Sequence, residues 1–237
     1  MLRLFRKSFK TGKVTIKYPL AQEEVTANLR GKTVVDSNSC DSCGLCKDEC
    51  PTQAIEVTGQ AVTIAHDKCL FCGTCTDSCP KGAINHTTEF ELAHLTKLLS
   101  EKTRKILGRS LHIRHVDTGS CNGCDFEMNA LTNPIYDIQS YGIDFVASPR
   151  HADMLLVTGS VTEHLETALK KTYAATPEPK LVAAMGACAC SGGIFKESYA
   201  VLGGVDKVIP VDLYIPGCPP RPQAIIYGLL KIIERLK

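Results

Sequence analysis

Thirteen cysteines in 237 residues are the side chains of this sequence with the most chemistry to offer. Eight lie between Cys40 and Cys79; Cys121, Cys124, Cys188, Cys190 and Cys218 make up the rest. No secretory signal opens the sequence, so it reads as a cytosolic chain. In that compartment patterned thiols stay reduced and bind metal rather than pair as disulfides. Cys40, Cys43, Cys46 and Cys50 recur 29 positions later as Cys69, Cys72, Cys75 and Cys79. Pro51 and Pro80, Ala54 and Ala83, and Ile55 and Ile84 repeat at the same displacement. Each copy reads C-x2-C-x2-C-x3-C-P, a run that ligates [4Fe–4S] clusters, the fourth cysteine of each copy serving the other cluster. On that rule Cys40, Cys43, Cys46 and Cys79 hold one cluster, and Cys69, Cys72, Cys75 and Cys50 hold a second.

The spacing has a physical reason. Three thiolates two residues apart can curl around one cubane with backbone N–H groups pointed at its sulfurs. Gly44 and Gly73 allow close approach of the chain, and Pro51 and Pro80 turn it away after each fourth ligand. Ile55 and Ile84 are expected to pack between the clusters and exclude water. A pair of zinc knuckles is the bland alternative, but structural zinc uses two separated C-x2–4-C pairs, not three cysteines in a row and a C-P. Residues 36–86 resemble the bacterial two-cluster ferredoxins, which implies an α+β ferredoxin domain here.

The remaining sequence must position these groups and the five later cysteines. With 44% hydrophobic residues, the chain is long enough for one large or two ordinary domains. No apolar run approaches the roughly 18 residues that cross a bilayer. A net charge of +2 argues against nucleic acid as the main partner. That charge is unevenly spread: residues 1–35 carry eight basic and two acidic groups, and residues 36–90 carry three and eight. Arg3, Arg6, Lys7, Lys10, Lys13 and Lys17, set among Leu2, Leu4, Phe5 and Phe9, read as a docking arm over residues 1–35, with an anionic membrane face as the rival use. The ferredoxin domain then covers 36–88. The pattern of Leu92, Leu95, Leu99 and Ile106 predicts a linker helix within 89–110, stopped by Gly108.

From 111 to 237 short apolar runs alternate with helical patterns. Strands are expected at His112–Val116, Asp144–Ala147, Met154–Thr158, Leu181–Met185 and Val208–Ile215, and helices at about 124–139, 162–174 and 222–236. This alternation predicts an α/β, flavodoxin-like domain with a parallel sheet. Ligands of such sheets gather at the carboxyl ends of the strands. Cys121 and Cys124 follow the first strand, Cys188 and Cys190 the fourth, and Cys218 the last, so three loops bring four or five thiols to one edge. No intact G-x-G-x-x-G or Walker sequence supports a nucleotide site.

The stretches D-T-G-S-C-N-G-C-D-F-E (Asp117–Glu127), M-G-A-C-A-C-S-G-G (Met185–Gly193) and P-G-C-P-P-R-P (Pro216–Pro222) resemble the small subunit of nickel–iron hydrogenases. The likeness is to the complex I-related branch, the Ech and formate-hydrogenlyase type, with S-P-R-H-A-D (Ser148–Asp153) and T-G-S-V-T (Thr158–Thr162) belonging to the same pattern. The N-terminal half, with K-Y-P (Lys17–Pro19) and R-G-K (Arg30–Lys32), resembles the separate ferredoxin subunit of those complexes, here fused. Ser160 and Gln223 depart from the pattern, which has proline and an acidic residue there.

This resemblance implies a third [4Fe–4S] cluster, the proximal one, held by Cys121, Cys124, Cys188 and Cys218. It leaves Cys190 as a small buried residue or a neighbour of the cluster. Arg150 and Arg221 are candidates to offset cluster charge, or simply turn-capping residues. Glu127 is a candidate proton relay, or a structural acid. The seven histidines show no paired ligand spacing and are read as non-ligands. The implied function is electron transfer through three [4Fe–4S] clusters to the nickel–iron site of a separate large subunit, with no catalytic residue in this chain. The partners would be that large subunit, further electron-transfer subunits or soluble ferredoxin, and membrane subunits reached through them. The location would be cytoplasmic, peripheral on the membrane. The rivals are a complex I-like quinone-reducing assembly and a soluble bifurcating or cofactor-reducing hydrogenase.

Overall fold

The computed structural model describes residues 2–21, 25–26, 28–96 and 110–236. The basic N-terminal segment opens as an amphipathic helix, α1 (Leu2–Thr11), with no buried residue. The chain then runs onto the C-terminal domain, where the Ile16 N–H donates to Ile135 C=O at 2.9 Å and Tyr18 joins the core. Thr33–Val35, counted with the arm on sequence grounds, is instead β1 of the first domain.

The first domain follows the 29-residue repeat. Its short helices, α2 (Leu45–Asp48) and α3 (Thr74–Asp77), are each entered through a glycine in the left-handed region, Gly44 at φ 84° and Gly73 at φ 87°. A side chain at those angles would be strained. The echo extends to non-glycine backbone: Ser42 and Phe71 sit at φ 56° and 55°. β2 (Ile55–Thr58) pairs antiparallel with β3 (Ala61–Ile64), and β1 pairs antiparallel with β4 (Ile84–His86). Cys46, Ile55 and Ile84 form a small buried core with Val35, Val62 and Ile64 packed on it.

Residues 89–96, where apolar spacing predicts the start of the linker helix, run extended. β5 (His94–Leu95) lies at the edge of the larger sheet, and the Thr96 N–H donates to Asp212 C=O at 3.0 Å. An open sheet edge offers backbone partners that a solvated helical turn lacks, and that pairing overrides the local pattern. The rest of the predicted helix lies outside the described residues.

The second domain is a sheet of β6 (Leu111–Asp117), β7 (Ile143–Phe145), β8 (Met154–Thr158), β10 (Leu181–Met185) and β12 (Leu213–Ile215), all parallel. Across the sheet they run β7-β6-β8-β10-β12, with antiparallel β5 beyond β12. A two-stranded ribbon, β9 (Val161–Thr162) with β11 (Val201–Gly203), stands apart. Strand residues alternate between two cores, as the period of two requires. Met154, Leu156, Ala183 and Met185 face α4 (Gly123–Ala130) and α7 (Pro222–Ile232). Leu155, Val157, Val182 and Ala184 face α5 (Glu163–Ala175) and α6 (Ala187–Ser191).

Several expected elements are shorter than their patterns, α7 among them, which ends at Ile232 rather than 236. α4 ends at Ala130, short of the expected 139, because Pro134 cannot continue a helix and Asn133 Oδ1 accepts the N–H groups of Ile135 and Tyr136. The run Val208–Ile215 is a strand only over its last three residues.

Candidate metal centres

Two of the three cysteine sets meet inside the first domain. Cys40, Cys43, Cys46 and Cys79 line one space, with Val62 and Ile84 among its walls. Cys50, Cys69, Cys72 and Cys75 line another, with Ile55, Thr33 and His86. The fourth cysteine of each copy thus lies with the other copy's trio. Backbone N–H groups point at the sulfurs: Ala54 at Cys50 Sγ and Ala83 at Cys79 Sγ, each 3.3 Å away, and Phe71 at Cys69 Sγ, also 3.3 Å. Burial pushes the Cys46 and Cys69 thiols up and Cys75 to about 11. Burial also raises Cys79, but the surrounding backbone N–H groups outweigh it and bring that thiol below its ordinary value.

The third set is assembled by loops at the carboxyl edge of the sheet. After β6, Asp117 Oδ1 accepts the Gly119 and Ser120 N–H groups, both at 2.8 Å, and this turn delivers Cys121 and Cys124 at the start of α4. After β10 comes Gly186, at φ 89°, where a Cβ would stand 2.5 Å from Cys124 Sγ. Only glycine lets the chain pass that sulfur and enter α6, which carries Cys188. After β12, Gly217 leads to Cys218, and the Ala187 N–H donates to Gly217 C=O at 2.8 Å, tying the last two loops together. Burial pushes Cys124 up to about 12, and the thiols of Cys188, Cys218 and Cys121 add to it. Cys188 is likewise pushed to about 11, chiefly by burial and then by Cys218 and Cys121.

Cys190 goes elsewhere. It is 4% exposed, its Sγ donates to Ala184 C=O at 3.5 Å, and it packs in the core with Leu155, Val157 and Leu169. The two cysteines of C-A-C point to different surroundings because a helix turns about 100° per residue, which sets positions two apart on opposite sides.

The surroundings of the third set include residues that spacing alone did not single out. Asp125 Oδ2 accepts from Ser120 Oγ at 2.8 Å, and its Oδ1 accepts from Thr158 Oγ1 at 3.0 Å and lies 3.0 Å from His115 Nε2. Its place directly after Cys124 was the available signal. Of the two candidate arginines, Arg221 lies three residues past Cys218, with its Nε donating to Gln223 Oε1 at 2.9 Å and its guanidinium over the Phe90 ring. Arg150 is exposed on the turn capped by Ser148. Glu127 is half-buried, and burial pushes its carboxyl up while Arg221 pulls it back.

The two domains touch beside the second cage. Lys196 Nζ donates to Thr52 C=O at 3.2 Å and Gln53 Oε1 at 3.0 Å; within the N-terminal half, the Arg30 guanidinium donates to Cys72 C=O. Cys72 is close enough to Cys218 to raise its pKa, though burial is the larger cause.

Among the described residues no three His, Cys, Asp or Glu side chains converge on a single-ion site. Four-thiol sets with backbone N–H groups facing their sulfurs fit a polynuclear cluster. Residues 39–83 match the family model of a 4Fe-4S dicluster domain, and residues 121–232 match that of the NADH ubiquinone oxidoreductase, 20 Kd subunit. The probable membrane-bound hydrogenase subunit mbhJ of Pyrococcus furiosus is 46% identical over 150 residues, 63% of this chain and 89% of that one. The chain belongs to the NADH ubiquinone oxidoreductase 20 Kd subunit family. Two further proteins are similar over a shorter span. An NADH-quinone oxidoreductase subunit of Citrifermentans bemidjiense is 50% identical over 113 residues, 48% of this chain and 66% of that one. A chain in the structure of the membrane-bound sulfane sulfur reductase, an archaeal respiratory membrane complex, is 38% identical with a TM-score of 0.50, covering 57% of this chain and 75% of that one. As a member of this family with a dicluster domain attached, the protein is an iron–sulfur oxidoreductase subunit whose cofactors are of the [4Fe–4S] type.

Proposed function

We propose that this chain is the electron-transfer subunit of a multi-subunit nickel–iron hydrogenase of the complex I-related branch, joining a redox partner to the nickel–iron site of a separate large subunit. Three [4Fe–4S] clusters would supply one-electron transfer: one on Cys40, Cys43, Cys46 and Cys79, one on Cys50, Cys69, Cys72 and Cys75, and a proximal one on Cys121, Cys124, Cys188 and Cys218. The strand order, second-first-third-fourth-fifth along the chain, supports a flavodoxin-like domain, with the last four cysteines at one edge.

The observation that carries the reading is the series of three cysteine sets. The second cage lies beside the third, where Leu70 and Phe71, next to Cys72 in sequence, line one cavity with Cys218, and Lys196 bridges from the second domain to Thr52 and Gln53. Beside the third set the surface is apolar: Phe126 is 75% exposed, and Ile194 and Phe195 are also exposed. A face of this kind beside exposed Cys121 suits a partner subunit that excludes water. Likeness to the Pyrococcus furiosus membrane-bound hydrogenase subunit supports a hydrogenase assembly. Among the described residues no helix is long and apolar enough to cross a membrane; we seat the chain peripherally in a membrane complex, on the cytoplasmic face.

Likeness to the NADH-quinone oxidoreductase subunit favours a second reading, delivery of electrons to quinone. The separated cysteines of Cys121-Asn122-Gly123-Cys124 argue for the hydrogenase, since the quinone-linked relatives place two ligand cysteines adjacent. Nickel per copy of this chain, measured on the complex isolated anaerobically with its native partners, separates the two. About one nickel is expected; reproducible absence of nickel with abundant iron would reject the hydrogenase and leave the quinone-linked reading.

A further inference from the structure

We propose that His86, oriented by Thr33, raises the reduction potential of the cluster on Cys50, Cys69, Cys72 and Cys75 above that of its twin on Cys40, Cys43, Cys46 and Cys79. The inference rests on the ligand sets proposed above. By ligand type the two cages are equal, and both have backbone donors, at Cys79 in the first and at Cys50 and Cys69 in the second. Each has three cysteines from one copy and one from the other, and each fourth cysteine accepts a backbone N–H at 3.3 Å.

Their side-chain surroundings are not equal. In β1 and β4, Thr33 pairs with His86; at the same repeat positions in β3 and β2, Val62 pairs with Val57. Thr33 and His86 line the second cage, while Val62 lines the first. The polar pair is held in place: His86 Nδ1 lies 3.1 Å from Thr33 Oγ1 and 3.3 Å from Gly31 C=O. His86 Nε2 is buried and meets no hydrogen-bond partner. A lone pair at Nε2 would face the sulfur of a bound cluster, so the cluster favours the ring hydrogen on Nε2; Nδ1 then accepts from the Thr33 hydroxyl, and the Gly31 carbonyl, itself an acceptor, is a contact and not a hydrogen-bond partner.

Other donors follow the same asymmetry. Thr74 Oγ1 lies 3.3 Å from Cys72 Sγ and Thr52 Oγ1 3.8 Å from Cys50 Sγ. The corresponding repeat positions are Leu45 and Lys81, and Ser42 beside the first cage spends its hydroxyl on Gln60 C=O. Donors facing cluster sulfurs stabilise the more negative, reduced form and raise the potential. The electron would therefore rest preferentially on the cage that lies beside the third set.

The test is a potentiometric titration of the full chain with its clusters assembled anaerobically, followed by electron paramagnetic resonance. The signal that Cys72→Ser alters identifies the second cage, and its midpoint should be the higher of the two ferredoxin-type signals. In His86→Leu the ratio of reduced to oxidised cluster at a fixed potential should fall about tenfold for that signal alone, or ~59 mV for a one-electron couple. His86→Gln, which keeps a donor, should recover part of it. Should His86→Leu lose iron, Thr33→Val carries the test, with a smaller fall of the same signal expected. An unmoved midpoint, or a shift in the other cluster, would overturn the inference. Wild-type chain that holds no iron would instead overturn the ligand sets themselves.

Discussion

Replacing Cys188 and Cys190 one at a time should give opposite results, although they are two residues apart. Cys188 shares its surroundings with Cys121, Cys124 and Cys218, whereas Cys190 is enclosed by Leu155, Val157 and Leu169. Cys188→Ser should remove one cluster of three, lowering iron from about twelve to about eight per chain. Cys190→Ala should leave iron unchanged and act on stability instead. It deletes one buried heavy atom, comparable to a buried methylene, together with a long S–H···O contact to Ala184. Deletions of that size cost about 1–1.5 kcal/mol, which for a domain of this length lowers Tm by about 3–7 °C. The assay pairs iron and sulfide analysis of the anaerobically assembled chain with thermal unfolding of the metal-free chain, so that loss of the cluster does not contaminate the stability reading. Iron falling to about eight in Cys190→Ala, with Cys188→Ser at about twelve, would refute the assignment and exchange the two roles.

Gly186→Ala should remove the same cluster without touching a ligand, because the new Cβ would meet Cys124 Sγ at 2.5 Å; cluster spectra should keep the two ferredoxin-type signals, and retention of all three would show that the loop can move aside. The metal-free chain should lose stability in alkali. Burial holds Cys124 at about 12 and Cys75 and Cys188 at about 11 against an ordinary 9.0, so these thiols ionise in the unfolded chain first. Their contribution is complete below about pH 9 and lost as pH rises through 11–12, and a Tm that stays flat over that interval would contradict it. Lys196→Ala should loosen the contact between domains by about 1 kcal/mol, read as faster amide exchange near Gln53 with iron content unchanged; exchange at the wild-type rate would mean that the contact carries no weight.

The grouping of the first eight cysteines was legible in the sequence because much of it is local. The spacing of Cys40, Cys43 and Cys46 alone brings three thiols to one point, and duplication at 29 residues announces the exchange of the fourth. The α/β character of 111–237 was legible for a similar reason: strands such as Met154–Thr158 and Leu181–Met185 are continuous apolar runs, and those runs coincide with β8 and β10. Local reading failed where a distant partner decided. Residues 89–96 have helical spacing, yet β5 forms because β12 left an edge to pair with. Thr33 carries no sign of its role until β1 lies against β4 and sets it beside His86.

By itself the sequence determined which residue types could bind iron and sulfur, and that two modules would hold them. Tertiary structure decided which cysteines stand together across the sheet edge, that Cys190 faces the core, and that Cys72 lies toward Cys218. The division has one physical cause. Bonds between residues near in sequence are set by backbone geometry that spacing encodes, while contacts between loops depend on how the strands are ordered and which faces are buried, and these exist only once the chain has packed.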